Sequence, residues 1–89
     1  MFPRTQSLVA GDLLFRYIES QTPRLGLIVS RKYGNAVHRG LFKRRCRALF
    51  REQLFGMNYT VLISPKSSNL SYSRIKQSFK YFQDKINVR

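Results

Sequence analysis

The chain has 89 residues and carries 17 Lys and Arg against 4 Asp and Glu, which gives a formal net charge of +13. This length accommodates a single small domain, residues 1–89, and excludes a large multidomain enzyme. Self-repulsion at this charge destabilises the folded state, so we expect a polyanionic partner, either nucleic acid or an anionic membrane surface. Hydrophobic residues make up 43% and aromatic residues 13% of the chain, which distinguishes it from a disordered basic tail.

Cysteine usage and the lack of targeting signals indicate the compartment. The single cysteine, Cys46, cannot form an internal disulfide bond, which is typical of a reducing compartment. One Cys and one His are too few for a structural zinc site. No apolar run approaches the roughly 18 residues of a spanning helix, and the first seven residues lack the apolar stretch of a signal peptide. The sequence therefore predicts a cytoplasmic protein with no membrane partner.

Two strands are predicted near the start of the chain. Residues 13–19 are rich in Leu, Phe, Tyr and Ile, and residues 25–30 form a short apolar run. A short polar turn with Pro23 as its breaker separates them. Because the connection is so short, we expect these two strands to form a hairpin.

A long helix is predicted next, over residues 36–54. Asn35 is a suitable N-cap because its side-chain oxygen can accept a hydrogen bond from a free amide of the first turn. Gly56 and Asn58 supply the stop signals.

A third strand over residues 59–64 and a helix from about Ser71 complete the predicted elements. Apolar residues in this last helix recur at three- and four-residue steps and predict a stripe that faces the core. The stripe consists of Tyr72, Ile75, Phe79, Phe82 and Ile86. The order strand, strand, helix, strand, helix predicts an α+β fold, a small two-layer sandwich with both helices packed on one sheet.

The helix over residues 36–54 has two distinct arcs when its residues are placed 100° apart. The arc expected to face the sheet contains Phe42, Cys46, Leu49, Phe50 and Gln53. The neighbouring arc contains Arg39, Lys43, Arg47 and Arg51 at four-residue steps, widened by Arg44. His38 and Arg45 lie on the opposite flank, and Leu41 lies outside the core arc.

The cationic arc indicates a nucleic-acid partner. Like charges four residues apart on a helix repel, and no acidic residue is interleaved before Glu52. A phosphate backbone would neutralise them, with counterion release driving the binding. The alternatives are a solvated charged face, which usually mixes both signs, and a membrane-surface helix, which needs apolar residues free of a core. Arg31, Lys32 and the first-turn amides after Gly34 form either a further anion site or an ordinary strand-to-helix turn.

Residues 24–39, RLGLIVSRKYGNAVHR, and residues 43–52, KRRCRALFRE, resemble the central region of the bacterial ribonuclease P protein subunit. That family follows a strand with Lys-Lys-x-Gly-Asn-Ala-Val, then Arg-Asn-Arg, then x-Lys-Arg-x-x-Arg. The resemblance runs from about Ser7 to the end of the chain and is most specific across residues 24–52. It implies the family's ribosomal-protein-S5-like fold, in which the sheet is mixed.

Two departures from the family pattern bear on the site. The Arg-Asn-Arg motif reads Arg39-Gly40-Leu41 here. The family's Asn is associated with a bound metal ion, so we assign no metal site to this chain. The family also opens with a helix that bears two aromatic residues. Phe2 corresponds to the second of them, and the first has no counterpart in this chain. Either the opening helix is missing or the start of the chain was assigned too late.

The resemblance implies an accessory role rather than a catalytic one. In ribonuclease P the RNA subunit hydrolyses the phosphodiester that joins the 5′ leader to the mature tRNA, with Mg²⁺ held mainly through that RNA. The four carboxylates, Asp12, Glu19, Glu52 and Asp84, are scattered in the sequence, which disfavours a two-metal protein site. We therefore expect no catalytic residue in this chain, ribonuclease P RNA and precursor tRNA as partners, and no obligate protein partner.

The resemblance and the helix pattern together select the candidate contacts. Those for the catalytic RNA are Arg31, Lys32, Asn35, Arg39, Lys43, Arg44, Arg47 and Arg51. Those for the single-stranded leader, which needs stacking platforms beside a basic groove, are Phe2, Phe15, Arg16 and Tyr17. Strand alternation places Phe15 and Tyr17 on one face and Arg16 on the other. The pattern leaves open which face meets the leader and whether Phe15 and Tyr17 belong to the core.

Two other functions remain open at this point. A ribosomal or RNA-chaperone-like binding protein would need the charges but not the Gly34-Asn35-Ala36-Val37 helix entry. A DNA-binding protein would place the basic helix in the major groove. The cationic arc is mostly Arg and Lys with few amide side chains, which suits phosphates better than base edges.

Overall fold

The computed structural model describes residues 5–54, 56–68 and 70–87. Four strands form one sheet: β1 (Gln6–Ala10), β2 (Leu13–Glu19), β3 (Arg24–Leu27) and β4 (Tyr59–Pro65). The two helices are α1 (Ala36–Leu49) and α2 (Tyr72–Asn87). A 3-10 turn (Arg31–Tyr33) precedes α1, and a π-helical turn (Phe50–Leu54) extends it. Neither helix combines the length and apolar character needed to cross a membrane, as judged over these residues.

The sheet is mixed, with strand order β1-β2-β4-β3. β2 pairs antiparallel with both β1 and β4, whereas β3 and β4 run parallel. Parallel neighbours require a crossover connection, and α1 provides it. The predicted α+β class and the helix over residues 36–54 are confirmed.

The predicted hairpin between the second and third strands is wrong. β4 lies between β2 and β3, and the hairpin is formed instead by β1 and β2. β1 has only five residues and its apolar run is limited to Leu8, Val9 and Ala10, so the sequence pattern missed it. β3 ends at Leu27, earlier than predicted, although the amide of Ile28 still donates to the carbonyl of Ile63 at 3.0 Å.

The β1–β2 turn is fixed to α2 through one buried hydroxyl. Ser78 is 1% exposed, and its Oγ accepts from the amide of Asp12 at 3.1 Å and donates to the carbonyl of Arg74 at 2.9 Å. Gly11 has φ +60°, and a Cβ there would lie 2.5 Å from Ser78 Oγ. Glycine at this turn therefore meets both a backbone and a packing requirement.

Aromatic packing joins α2 to the sheet. The ring of Phe15 on β2 stacks on Phe82, with centroids 4.2 Å apart, and meets Phe79 edge-on at 5.5 Å. Phe79, Phe82 and Ile75 are fully buried, which confirms most of the predicted apolar stripe. Tyr72 is 39% exposed, so the predicted buried stripe is wrong at its first position.

The two faces of the sheet differ. One face supplies buried side chains to the core, including Phe15, Val61 and Ile63. Buried residues of α1 and the π-helical turn join the same core: Phe42, Cys46, Leu49, Phe50 and Leu54. On the opposite face Arg16 is exposed and its register partner Leu62 is half-buried. The molecule is thus a two-layer sandwich with one sheet face left open.

We predict that Ser78→Ala lowers the free energy of unfolding by about 1–3 kcal/mol, because the Asp12 amide loses its hydrogen-bond partner. Urea denaturation monitored by circular dichroism measures the change. Ser67→Ala, at an exposed serine in the loop after β4, is the matched control and should leave the midpoint unchanged. Equal midpoints for the two variants would contradict the role assigned to Ser78.

Candidate nucleic-acid interface

The start of α1 is held by two local hydrogen bonds. Asn35 Oδ1 accepts from the amide of His38 at 2.9 Å, which confirms Asn35 as the N-cap. Arg39 Nε donates to the carbonyl of Gly34 at 3.2 Å. The candidate contacts Asn35 and Arg39 thus also stabilise the start of α1. Substituting either would disturb the fold as well as any contact with a ligand.

The predicted cations do lie together along α1 and the π-helical turn that extends it. Arg44, Arg47 and Arg51 are exposed, and Arg39 and Lys43 are half-buried. We call these five residues the cationic arc. Arg31 and Lys32, both exposed, precede it in the 3-10 turn.

The cationic arc lacks internal charge compensation. Over residues 5–54, 56–68 and 70–87, the ion pair present is Arg74 with Asp12, at 3.2 Å, and no arc side chain takes part in one. Like charges at four-residue steps destabilise a helix by about 0.2–0.5 kcal/mol per pair. The arc therefore carries a repulsion that an external polyanion would relieve.

Gly40 lies in the middle of the cationic arc on the helical wheel. A Cβ at Gly40 would meet nothing within 4 Å. Unlike Gly11, Gly40 therefore has no packing requirement within the described chain. Its bare backbone weakens α1 without a compensating internal contact.

The open face of the sheet carries a groove of about 450 Å³. It is lined by Thr5, Ser7, Arg16, Tyr17, Ile18, Thr60 and Leu62. Arg16 brings a cation to this groove, beside the apolar side chains of Ile18 and Leu62.

The leader candidates separate between the core and the open face. Phe15 is fully buried against Phe79 and Phe82, which corrects it from a candidate contact to a core residue. Tyr17 is half-buried, packs edge-on against Phe82 at 5.1 Å, and still borders the groove. Phe2 lies outside the described residues.

The described part of the chain offers few groups that could act as a nucleophile or bind a metal ion. Burial raises the pKa of the Cys46 thiol from its ordinary 9.0 to about 12, with the Arg47 charge opposing the shift, so the thiol stays protonated at neutral pH. Within the described ranges, no three His, Cys, Asp or Glu side chains come together to hold a metal ion. The donor set therefore does not fit a metal centre of its own.

One feature of α1 could not be found from the sequence. A cavity of about 170 Å³ lies on the flank away from the cationic arc. It is lined by Tyr33, His38, Leu41, Phe42, Arg45 and Leu70. The guanidinium carbon of Arg45 also lies 5.8 Å from the centroid of the Tyr72 ring. Helical spacing places His38 and Arg45 on one flank of α1, but the 3-10 turn, the loop after β4 and the start of α2 that complete this region are distant in sequence, so local spacing does not signal the cavity.

The mixed sheet, the crossover helix and the uncompensated cationic arc define a small basic α+β domain suited to a polyanion. The family model for Ribonuclease P matches residues 2–87. The chain belongs to the Ribonuclease P family.

Curated relatives agree with this membership. The Ribonuclease P protein component of Phytoplasma australiense is 36% identical over 69 residues, which cover 73% of this chain and 60% of the relative. That of Onion yellows phytoplasma is 32% identical over 93 residues, covering 96% of this chain and 66% of the relative. The chain thus spans about three-fifths to two-thirds of the length of these two relatives.

Solved structures share the fold. The RNase P protein from Thermotoga maritima has a TM-score of 0.77 at 20% identity, covering 91% of this chain and 83% of that one. The Staphylococcus aureus RNase P protein also has a TM-score of 0.77, at 22% identity, covering 93% and 81%. At these identities the likeness concerns the architecture alone.

We predict that Gly40→Ala raises the free energy of unfolding by about 1 kcal/mol, because Ala favours the helix and its Cβ meets open space. Thermal and urea denaturation measure the change. Gly11→Ala is the matched control and should lower stability, since its Cβ would strike Ser78 at a positive φ. A destabilised Gly40→Ala protein would show an internal requirement for glycine that the geometry lacks.

Proposed function

We propose that this protein is the protein subunit of ribonuclease P and assists removal of the 5′ leader from precursor tRNA. The observation that carries the proposal is the uncompensated cationic arc on a chain of this family. The protein supplies binding and orientation, and the RNA subunit supplies the chemistry.

The cationic arc and the 3-10 turn contact the catalytic RNA. Arg44, Arg47 and Arg51 are exposed and free of ion pairs in the described structure, so no internal salt bridge has to break on binding. Arg31 and Lys32 extend the same charge toward the helix entry. Guanidinium groups bind phosphate oxygens through two parallel hydrogen bonds, which fixes orientation as well as charge.

The open face of the sheet receives the single-stranded leader. Phosphates of a single strand need a cation, which Arg16 provides, and bases need apolar or aromatic surface, of which Ile18 and Leu62 provide the apolar kind. The opposite face is filled by α2 and cannot admit a strand. These observations favour the open face for the leader, a choice that strand alternation left undecided.

Mg²⁺, when bound by the RNA subunit, supplies charge neutralisation and an activated water for phosphodiester hydrolysis. The carboxylates of this chain do not assemble a site for it in the described ranges. The cationic arc and Arg16 hold the two RNA segments in a fixed relation and offset their mutual repulsion. Less free Mg²⁺ is then needed to bring substrate and catalytic RNA together.

We predict that adding the protein to bacterial ribonuclease P RNA raises the rate of precursor-tRNA cleavage at low Mg²⁺, where phosphate repulsion limits the RNA alone. Cleavage of 5′-labelled substrate under single-turnover conditions measures this. A folded protein that binds RNA yet gives no stimulation would favour the ribosomal or RNA-chaperone-like alternative.

We predict that Arg47→Ala weakens binding to the catalytic RNA by about 1.5–3 kcal/mol, as expected for a lost charge-assisted contact. It should also lower the slope of log K against log salt by about one. Filter binding across a salt series measures both values. Lys80→Ala, which removes an exposed charge from α2, is the matched control. Equal losses for the two variants would mean that net charge, not the arc, drives binding.

A further inference from the structure

The flank of α1 away from the cationic arc carries a cavity and, beside it, the planar guanidinium group of Arg45. Arg45 lines the 170 Å³ cavity and also lies over the ring of Tyr72, 5.8 Å from its centroid. Contact with an aromatic ring orients a guanidinium, so less rotamer entropy is lost when it binds a ligand. Arg45 is thus a planar group that is oriented before any partner arrives.

The cavity has an apolar floor and polar rim. Phe42 and Leu70 are buried at its base, and the buried Tyr33 hydroxyl already accepts from the amide of Leu70 at 3.0 Å. His38 is exposed and Arg45 is half-buried, so the lining also includes two nitrogen-bearing side chains that solvent reaches. No carboxylate is among the described residues that line the cavity. Its volume is below the usual range for a drug-sized ligand, which suits a single planar ring system.

We propose that this flank holds one unstacked RNA base against the guanidinium of Arg45, with its edge toward His38. Splayed-out bases in single-stranded RNA stack on aromatic rings or on guanidinium planes and hydrogen-bond along their edges. This proposal rests on the proposed function, because the base must belong to an RNA whose phosphates lie along the same helix. It adds a base contact to a surface otherwise made of phosphate contacts.

Arg45 and Arg47 provide a matched pair for the test. They lie two residues apart on α1 and carry the same charge, but Arg47 belongs to the cationic arc. Substituting lysine keeps the charge and removes the guanidinium plane. Arg45→Lys should therefore weaken binding about fivefold or more, the lower end of one stacked base, without changing the salt slope. Arg47→Lys also gives up a paired phosphate contact, but its binding should keep the wild-type response to the removal of a single base.

The RNA probes are catalytic-RNA fragments protected by the protein in footprinting, carrying 2-aminopurine or an abasic site at each protected unpaired position. One position should show a fluorescence change with the wild-type protein that is lost with Arg45→Lys. An abasic site there should reduce wild-type affinity and leave Arg45→Lys affinity unchanged. Circular dichroism melts should be alike for the proteins, since Arg45 is only half-buried.

Tyr72 gives a second test that does not alter any charge. Tyr72→Phe keeps the ring and should bind like wild type, whereas Tyr72→Ala frees Arg45 and should repeat part of the Arg45→Lys loss. An Arg45→Lys protein as sensitive to the abasic site as the wild type, or the absence of any abasic-sensitive position, would overturn the base site. Wild-type protein with a flat salt slope would instead overturn the proposed function itself, so the two failures are distinguishable.

Discussion

The packing of α1 against the core is the contact on which the rest of the molecule depends. Phe42, Cys46 and Leu49 are buried on one side of a helix whose neighbouring side carries the cationic arc. Fully burying one large apolar side chain contributes about 1.5–3 kcal/mol, several times the repulsion of one like-charge pair. Burial therefore outweighs charge, and the fold can hold cations close together that would otherwise separate.

The position of β4 determines where the two proposed RNA surfaces lie. β4 pairs with β2 on one side and runs parallel to β3 on the other, so a crossover is required between β3 and β4, and α1 provides it. The sheet face away from the core is left open, with Arg16 opposite Leu62. One strand thus separates a helix surface suited to phosphates from a sheet surface suited to an extended strand.

The spacing of residues along the sequence predicted those features that depend on residues close together in the chain. The buried arc of α1, the Asn35 cap and the Phe79–Phe82 stripe all follow from residues within two turns of one another. Strand order did not, because nothing within residues 13–30 shows that β4 inserts between them. Arg45 and Tyr72 meet across different helices, which local periodicity does not show, and Tyr72 is 39% exposed despite its place in the predicted apolar stripe.

The thiol of Cys46, on the buried side of α1, can report how often the helix opens. Cys46 is fully buried, and its pKa of about 12 leaves almost no thiolate near neutral pH. A thiol-modifying reagent can reach it only when α1 lifts from the core, and in that open state its pKa returns toward 9.0. The rate of modification thus counts how often the helix detaches. Cys46 is therefore a built-in probe of how firmly the helix that carries the cationic arc is held against the core.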